Sequence, residues 1–252
     1  MSDILGTILN DSLSGGLYEN NSIVGFAGND RIFGGYQNDL IFGNTGLDRI
    51  SSSDGNDTIL AGQDDDWITS DSGDENNDLL YGGLGDDTLI GAYNGFYATT
   101  PGKHEIDTLT GGQGADVFVL GDESKSYYVG QGNSDFALLT DFNPNEDRLV
   151  YKAGNLNSSS ITLPGFGVGI GLFDTAKSDL IAFLPGATQP PALPKPYSNQ
   201  SGYGLVDASA AVARATGQTN PFPDVAATVN PWGIDRVKAP EAWAKGYTGQ
   251  GV

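Results

Sequence analysis

The chain has 252 residues, a formal net charge of −20 and no cysteine. Its acidity is uneven, since residues 1–122 hold 21 acidic and 3 basic side chains. This charge argues against a nucleic-acid partner, which requires a basic surface. No run of about 18 apolar residues is present, so the sequence predicts no membrane span.

Aspartate recurs at a nine-residue spacing through the first half of the chain, and only two intervals, of 12 and 20 residues, are longer. A large apolar residue, from Ile32 to Phe118, follows each aspartate two positions later. Glycine is common five or six positions before it, where a tight turn needs left-handed backbone. The aspartates are Asp30, Asp39, Asp48, Asp57, Asp66, Asp78, Asp87, Asp107 and Asp116.

Each nine-residue unit is interpreted as a glycine turn followed by a short strand whose apolar residue points inward. Two units make one coil, so aspartates 18 residues apart stack. The spacing therefore predicts one column containing Asp30, Asp48 and Asp66 and an opposite column containing Asp39 and Asp57. Asn21 and Ile23 stand in register as a weaker unit without the aspartate.

Stacked carboxylates repel one another. At a strand spacing of about 4.8 Å, two unit charges repel by roughly 3 to 4 kcal/mol at an effective dielectric of 20. Calcium fits such columns because it takes several hard oxygen ligands, whereas zinc prefers nitrogen and sulfur. The nine aspartates are accordingly predicted to bind several Ca²⁺ ions, with folding and metal binding coupled.

The best units are Gly82–Ile90, GGLGDDTLI, and Gly111–Val119, GGQGADVFV. They resemble the calcium-binding nonapeptide of the repeats-in-toxin (RTX) family, and the resemblance covers about residues 16–121. Other copies depart from it: Ser52 and Ala61 replace the first glycine, and Gln37 and Asp64 the third. The resemblance implies a parallel β-roll over residues 1–121. The alternative, an acidic disordered segment, is the expectation for the metal-free chain.

Insertions of 3 and 11 residues interrupt the period within residues 67–81 and 88–107 and are expected at turns. The longer one carries Tyr93, Phe96, Tyr97, Pro101 and His104, either to cover the side of the roll or as a surface patch. Residues 122–187 are predicted to form a β-rich cap. Segment 135–147 resembles the closing segment of RTX arrays of the cyanobacterial type. The cap strands are predicted at 117–120, 136–140, 148–151, 161–163, 168–173 and 180–184.

A proline-rich linker is predicted over residues 188–202, followed by an alanine-rich helix over 203–216. The stretch from Trp232 to Val252, WGIDRVKAPEAWAKGYTGQGV, resembles the entry segment of a subtilisin-like serine protease domain. The resemblance implies a short, incomplete α/β segment within 203–252. The alternative is a generic helix over 239–245 ended by glycine.

A serine protease needs a serine, a histidine and an aspartate, but His104 is the only histidine in the sequence and lies in the calcium-binding half. The chain is therefore predicted to have no catalytic residues and to be no enzyme by itself. The RTX resemblance implies an extracellular bacterial protein, exported in one step without an N-terminal signal peptide. The predicted function is a calcium-binding module attached to, or truncated from, a subtilisin-like protease. The alternative is an adhesion or structural protein that binds cell-surface polysaccharide.

Overall fold

The computed structural model describes residues 2–71, 76–92, 101–152, 156–175 and 179–188, all within the unit Met1–Tyr197. The predictions for residues 189–252, which include most of the linker and the whole subtilisin-like segment, fall outside the described residues. So do Tyr93, Phe96 and Tyr97 of the longer insertion. Within the described ranges, no helix has the length and apolar character that crossing a bilayer requires.

All regular secondary structure of the described residues is β-strand, as the short apolar units separated by glycine turns predict. In chain order they are β1 (Ser2–Leu5), β2 (Ser12–Ser14), β3 (Asn21–Ala27), β4 (Arg31–Gly35), β5 (Leu40–Thr45), β6 (Arg49–Ser53), β7 (Thr58–Gln63), β8 (Trp67–Asp71), β9 (Leu79–Leu84), β10 (Thr88–Ala92), β11 (Ile106–Gln113), β12 (Val117–Val119), β13 (Phe136–Leu139), β14 (Arg148–Val150), β15 (Leu156–Leu163), β16 (Gly167–Asp174) and β17 (Asp179–Pro185).

Successive strands alternate between two sheets. The first sheet has the order β1-β3-β5-β7-β9-β11-β13-β17-β16-β15, and the second has the order β14-β12-β10-β8-β6-β4-β2. Pairing is parallel from β1 to β17 in the first sheet and throughout the second. Two nine-residue units therefore make one coil. This confirms the mainly β, parallel β-roll predicted from the repeat.

The core is a double ladder of the apolar residues predicted from the repeat, continued by Leu139 and Leu149 in the closing coil. Register pairing stacks each residue on its counterpart in the next coil, as Ile23 stacks on Ile41 and Ile41 on Ile59. None is more than 4% exposed, and burying each side chain stabilises the fold by roughly 1.5–3 kcal/mol. The first ladder is Ile23, Ile41, Ile59, Leu80, Leu109 and Leu139; the second is Ile32, Ile50, Ile68, Leu89, Phe118 and Leu149.

Most turns have left-handed backbone at the second and fourth residues of the unit, and residues other than glycine adopt it too. Gly83 and Gly112 have φ of 123° and 106° at the second residue, and Phe26, Asn44 and Ser53 adopt φ of 76–80° there. Such a conformation costs an L-residue roughly 1–2 kcal/mol. The stacking of coils thus outweighs the local preference in the degenerate copies.

The strand ladder extends past residue 121, where the sequence places the end of the roll. Strand β13 pairs with β11 in the first sheet, and β14 pairs with β12 in the second. This further coil is built from the segment predicted to close the array. Its units are not nine residues apart, so periodicity alone could not assign them to the roll.

The first sheet then ends in an antiparallel meander. Strand β17 pairs in parallel with β13 and antiparallel with β16, and β15 completes the edge. A second small core of Phe136, Leu163, Leu180 and Phe183 covers this end. Phe136 meets Phe183 edge to face with ring centroids 6.3 Å apart. The cap strands agree with the predicted ones within one residue at each end, except that β15 begins at Leu156 rather than Ile161.

Candidate metal centre

The aspartates of alternate turns form the columns that the spacing predicts. In the first column, each aspartate N–H donates to the Oδ1 atom of the aspartate one coil further on. The distance is 2.8 Å from Asp30 to Asp48 and from Asp48 to Asp66. The same bond recurs along the whole column, which contains Asp11, Asp30, Asp48, Asp66, Asp87, Asp116 and Asp147.

The second column lies at the other turns and follows the same rule. The N–H groups of Asp39 and Asp57 donate to Oδ1 of the next aspartate at 2.7 Å, and that of Asp78 donates to Asp107 at 2.9 Å. Asn21 begins this column, because its N–H donates to Asp39 Oδ1 at 2.7 Å. All nine predicted aspartates therefore lie in the two columns.

The second carboxylate oxygen faces the turn of its own unit. The predicted aspartates are at most 3% exposed. Among the described residues, Oδ2 of Asp30, Asp39, Asp48, Asp66 and Asp87 is buried and has no hydrogen-bond partner. Burying an ionised oxygen without a donor costs free energy, so a proton or a cation is needed to neutralise these atoms.

The first glycine of the unit leaves room for carbonyl oxygens to approach the same place. A Cβ added at Gly34 would lie 2.5 Å from Asp39 Oδ2 and 2.5 Å from the carbonyl oxygen of Ser52 in the next coil. At Gly43 it would meet Asp48 Oδ2 and lie 2.5 Å from the Ala61 carbonyl oxygen. Carboxylate and carbonyl oxygens thus converge beside the glycine Cα.

This donor set fits calcium. Among the described residues, no three acidic or histidine side chains come together, so any ion in a turn would need backbone carbonyls besides carboxylates. Calcium accepts carboxylate and carbonyl oxygens in flexible geometry, whereas zinc favours nitrogen and sulfur ligands. Ser52 stands five residues before Asp57, at the first position of its unit, and its buried Oγ has no hydrogen-bond partner among the described residues.

Burial governs the protonation of the carboxylates. It raises the pKa of Asp66 to about 8 and that of Asp87 to about 7, against the hydrogen bond from the neighbouring backbone N–H. The pKa values of Asp48 and Asp116 rise to about 6 for the same reason. Neighbouring carboxylates add to each rise. Without a cation, burial in the folded columns therefore shifts these acids toward the protonated form.

Asp11 and Asp147 extend the first column beyond the predicted set. Leu13 and Leu149 follow them by two residues, which is the signal that could have identified both. Their Oδ2 atoms already have donors: the N–H of Thr7 at 2.6 Å for Asp11 and that of Asn143 at 2.7 Å for Asp147. These two acids end the column with hydrogen bonds.

Asp107 also differs from the other predicted ligands. The Tyr128 hydroxyl donates to its Oδ2 at 2.6 Å, and both residues are fully buried. Tyr128 lies outside the periodic part of the chain, so no pattern in the sequence indicates this contact. Of the longer insertion, Pro101 is buried and His104 is exposed.

The cap holds further buried acids that the sequence did not single out. Asp135 is fully buried, and its pKa rises to about 6, mainly through burial and then through the Asp179 carboxylate, while His104 opposes the rise. Asp179 accepts hydrogen bonds from Gly130 and Gly132, and Asp174 accepts one from Ser126. Asp174 and Asp179 therefore bind the meander to the segment before β13.

The comparisons identify the repeat. The family model of the RTX calcium-binding nonapeptide repeat, which spans four copies, matches residues 5–41, 15–50, 42–74, 72–92 and 105–124. All nine predicted aspartates lie in these ranges, so the chain carries RTX repeats, which bind calcium and are typical of secreted proteins. The matched ranges end before the subtilisin-like stretch. No curated protein shows a significant match.

Stability should depend on pH in opposite ways with and without calcium. Folding raises these aspartate pKa values from about 4 to between 6 and 8. Without metal, the stability they contribute is complete below about pH 4 and is lost as pH rises through 6 to 8. With calcium, stability should rise over that window, because the ion requires ionised carboxylates.

Thermal melts at pH 5 to 8, in excess chelator and in calcium, measure this dependence. Asp66→Asn is the matched control, because it removes the titration with the highest pKa and should flatten the metal-free curve between pH 7 and 8. A metal-free melting temperature that climbs with pH would contradict the assignment.

The first-glycine position should tune calcium affinity. Gly43→Ala places a methyl group where the Asp48 and Ala61 oxygens converge, so we expect about tenfold or more weaker binding, equivalent to about 1.4 kcal/mol. Gly43 has no positive φ, so backbone strain does not explain the loss.

The reciprocal variant Ala61→Gly removes the methyl group from the turn of Asp66 and should strengthen calcium binding. Calcium titrations of the two variants check the pair, and equal shifts in the same direction would contradict it.

Proposed function

We propose that the chain is a calcium-dependent folding module of a secreted bacterial protein, with ions held in the turns of the β-roll. The observation that carries this proposal is the set of buried Oδ2 atoms without donors, of which those of Asp30, Asp39, Asp48 and Asp87 lie beside a carbonyl oxygen of the neighbouring coil. The residues that would hold the ions are Asp30, Asp39, Asp48, Asp57, Asp66, Asp78, Asp87 and Asp116, with backbone carbonyls of the turns.

The two carboxylate oxygens have separate tasks. Oδ1 fixes the register by accepting an N–H from the preceding coil, whether or not a cation is present. Oδ2 carries charge into a buried turn, which opposes folding until a divalent ion compensates it. Folding and binding are thereby coupled, as in other small metal-dependent domains.

This coupling suits one-step export without an N-terminal signal peptide, as the RTX resemblance implies. In the low calcium of the bacterial interior the acidic half would remain unfolded, and in the calcium of the exterior it would fold. In this proposal the chain contributes no catalytic group of its own. The subtilisin-like stretch from Trp232 to Val252 supports attachment to a serine protease domain that the roll carries or stabilises.

A second candidate function, adhesion to cell-surface polysaccharide, is favoured by the outer face of the second sheet. Arg31 and Arg49 are in register there, and they lie over Phe33 and Trp67 at 5.2 and 5.9 Å from the ring centroids. Both rings are 41% exposed. Exposed aromatic rings with adjacent guanidinium groups offer flat, polar-edged contacts of the kind that sugars can use.

Calcium should convert the chain from an unfolded to a β-rich state. At pH 8, where the metal-free columns have lost most of their protons, we expect far-UV circular dichroism in chelator to lack the β signal and millimolar calcium to restore it. The same concentration of magnesium should restore little, because magnesium demands a tighter octahedral site. A spectrum that does not change between chelator and calcium would refute calcium-dependent folding.

The protease link predicts what the gene encodes after codon 252. We expect an Asp-Thr-Gly turn soon after Val252 and a nucleophilic serine segment further on. DNA sequencing of the locus tests this directly. An open reading frame without these segments, together with retention of the chain on immobilised polysaccharide that Trp67→Ala abolishes, would favour adhesion instead.

A further inference from the structure

We infer that the second aspartate column is closed at both ends by uncharged hydrogen-bond donors, Asn21 and Tyr128, which hold the positions that calcium takes in the turns between them. This inference rests on the proposed function and adds which turns remain free of metal. It reassigns Asp107, a predicted calcium ligand, to a hydrogen bond that joins the roll to the cap.

At the first end, the Asn21 amide nitrogen is surrounded by oxygen atoms. It donates to the carbonyls of Gly16 and Glu19 at 3.1 and 2.9 Å and to Asp39 Oδ1 at 2.8 Å. Its own Oδ1 accepts the Gly16 N–H at 2.9 Å, which fixes the amide orientation. Two carbonyls and a carboxylate oxygen thus converge on a donor, as they would on a cation.

The Asn21 amide also has the same place in its turn as the free carboxylate oxygens have in theirs. A Cβ added at Gly15 would lie 2.6 Å from Asn21 Nδ2. In the following turn of this column, a Cβ at Gly34 would lie 2.5 Å from Asp39 Oδ2. A neutral amide therefore replaces both the carboxylate oxygen and the ion at this end.

At the other end, the Tyr128 hydroxyl enters the turn of Asp107. A Cβ added at Gly91 would meet this hydroxyl and lie 2.7 Å from Asp107 Oδ2. The hydroxyl donates to that oxygen at 2.6 Å, and Asp107 Oδ1 accepts the Asp78 N–H at 2.9 Å. Both carboxylate oxygens are thus engaged without a metal.

The tyrosine is held firmly in this position. Its N–H donates to the Pro101 carbonyl at 2.9 Å, and its backbone is left-handed, with φ of 53°. Gly102 lies so close that a Cβ there would be 2.5 Å from the Tyr128 ring. The ring and its hydroxyl are fully buried, so the contact does not depend on a mobile side chain.

The ends of the column explain why donors suit these two turns. Asn21 pairs in register with Ser2, and Asp107 pairs with Ala137, so neither terminal position is followed by a further aspartate of the column. A divalent ion at either end would therefore have a column aspartate on one side only. The turns of Asp39, Asp57 and Asp78 lie between acids or amides of adjacent coils, so an ion there would have oxygen ligands on both sides.

The number of calcium ions bound by the full chain tests the inference. Equilibrium dialysis at saturating calcium, followed by metal analysis, gives this number for the wild type and for single variants. Asp57→Asn should bind at least one ion fewer. Asp107→Asn is isosteric: its Oδ1 can still accept the Asp78 N–H, and its Nδ2 would donate to the Tyr128 hydroxyl oxygen, so it should bind the wild-type number. Asn21→Asp should bind one ion more.

The inference is overturned if Asp107→Asn loses as many ions as Asp57→Asn, or if Asn21→Asp folds in calcium and gains none. Should Asn21→Asp fail to fold, Asn21→Ala replaces it: it should bind the wild-type number, and loss of an ion would show that Asn21 is a ligand. A wild-type chain that binds no calcium would instead contradict the proposed function, so the two failures are distinguishable.

Discussion

The fold depends on one hydrogen bond repeated along two columns, from an aspartate N–H to the carboxylate one coil further on. This bond sets the vertical register of the coils, because each aspartate is both the donor and, through Oδ1, the acceptor. It also buries a carboxylate at every turn. The interaction that aligns the coils therefore introduces the charge that opposes their stacking, and neither can be removed without the other.

Two ways of relieving that charge are built into the columns. Where the second oxygen has no donor, as for Asp48, a proton or a divalent cation must compensate its negative charge. The raised pKa of Asp48 reflects the cost of burying that charge. Where the second oxygen meets an N–H or O–H, as for Asp11, Asp107 and Asp147, the chain itself supplies the compensation. Donors from the chain occur at the ends, and turns without them lie between.

The periodic part of the molecule was predictable because each nine-residue unit repeats the same physical problem. One apolar residue per unit specified the core ladders, and the 18-residue coil specified which aspartates share a column. The closing coil was not predictable in this way. Asp147 follows Asp116 by 31 residues, and its membership depends on pairing between β14 and β12 that no period encodes. The contact between Tyr128 and Asp107 joins an irregular segment to a regular one, so only the folded chain reveals it.

Worn repeats illustrate how the roll tolerates departures from the motif. Ser53 and Asp64 adopt left-handed backbone that glycine would adopt at less cost, since neighbouring coils fix the turn on both sides. Ala61 places a methyl group at the position where Gly43 and Gly82 leave space, and the pKa of the associated Asp66, about 8, is higher than those of Asp48, Asp87 and Asp116. A degenerate unit thus keeps the fold but changes how strongly its buried carboxylate favours the protonated form. Sequence variation among the repeats can therefore grade the affinity of successive turns while the strand register stays constant.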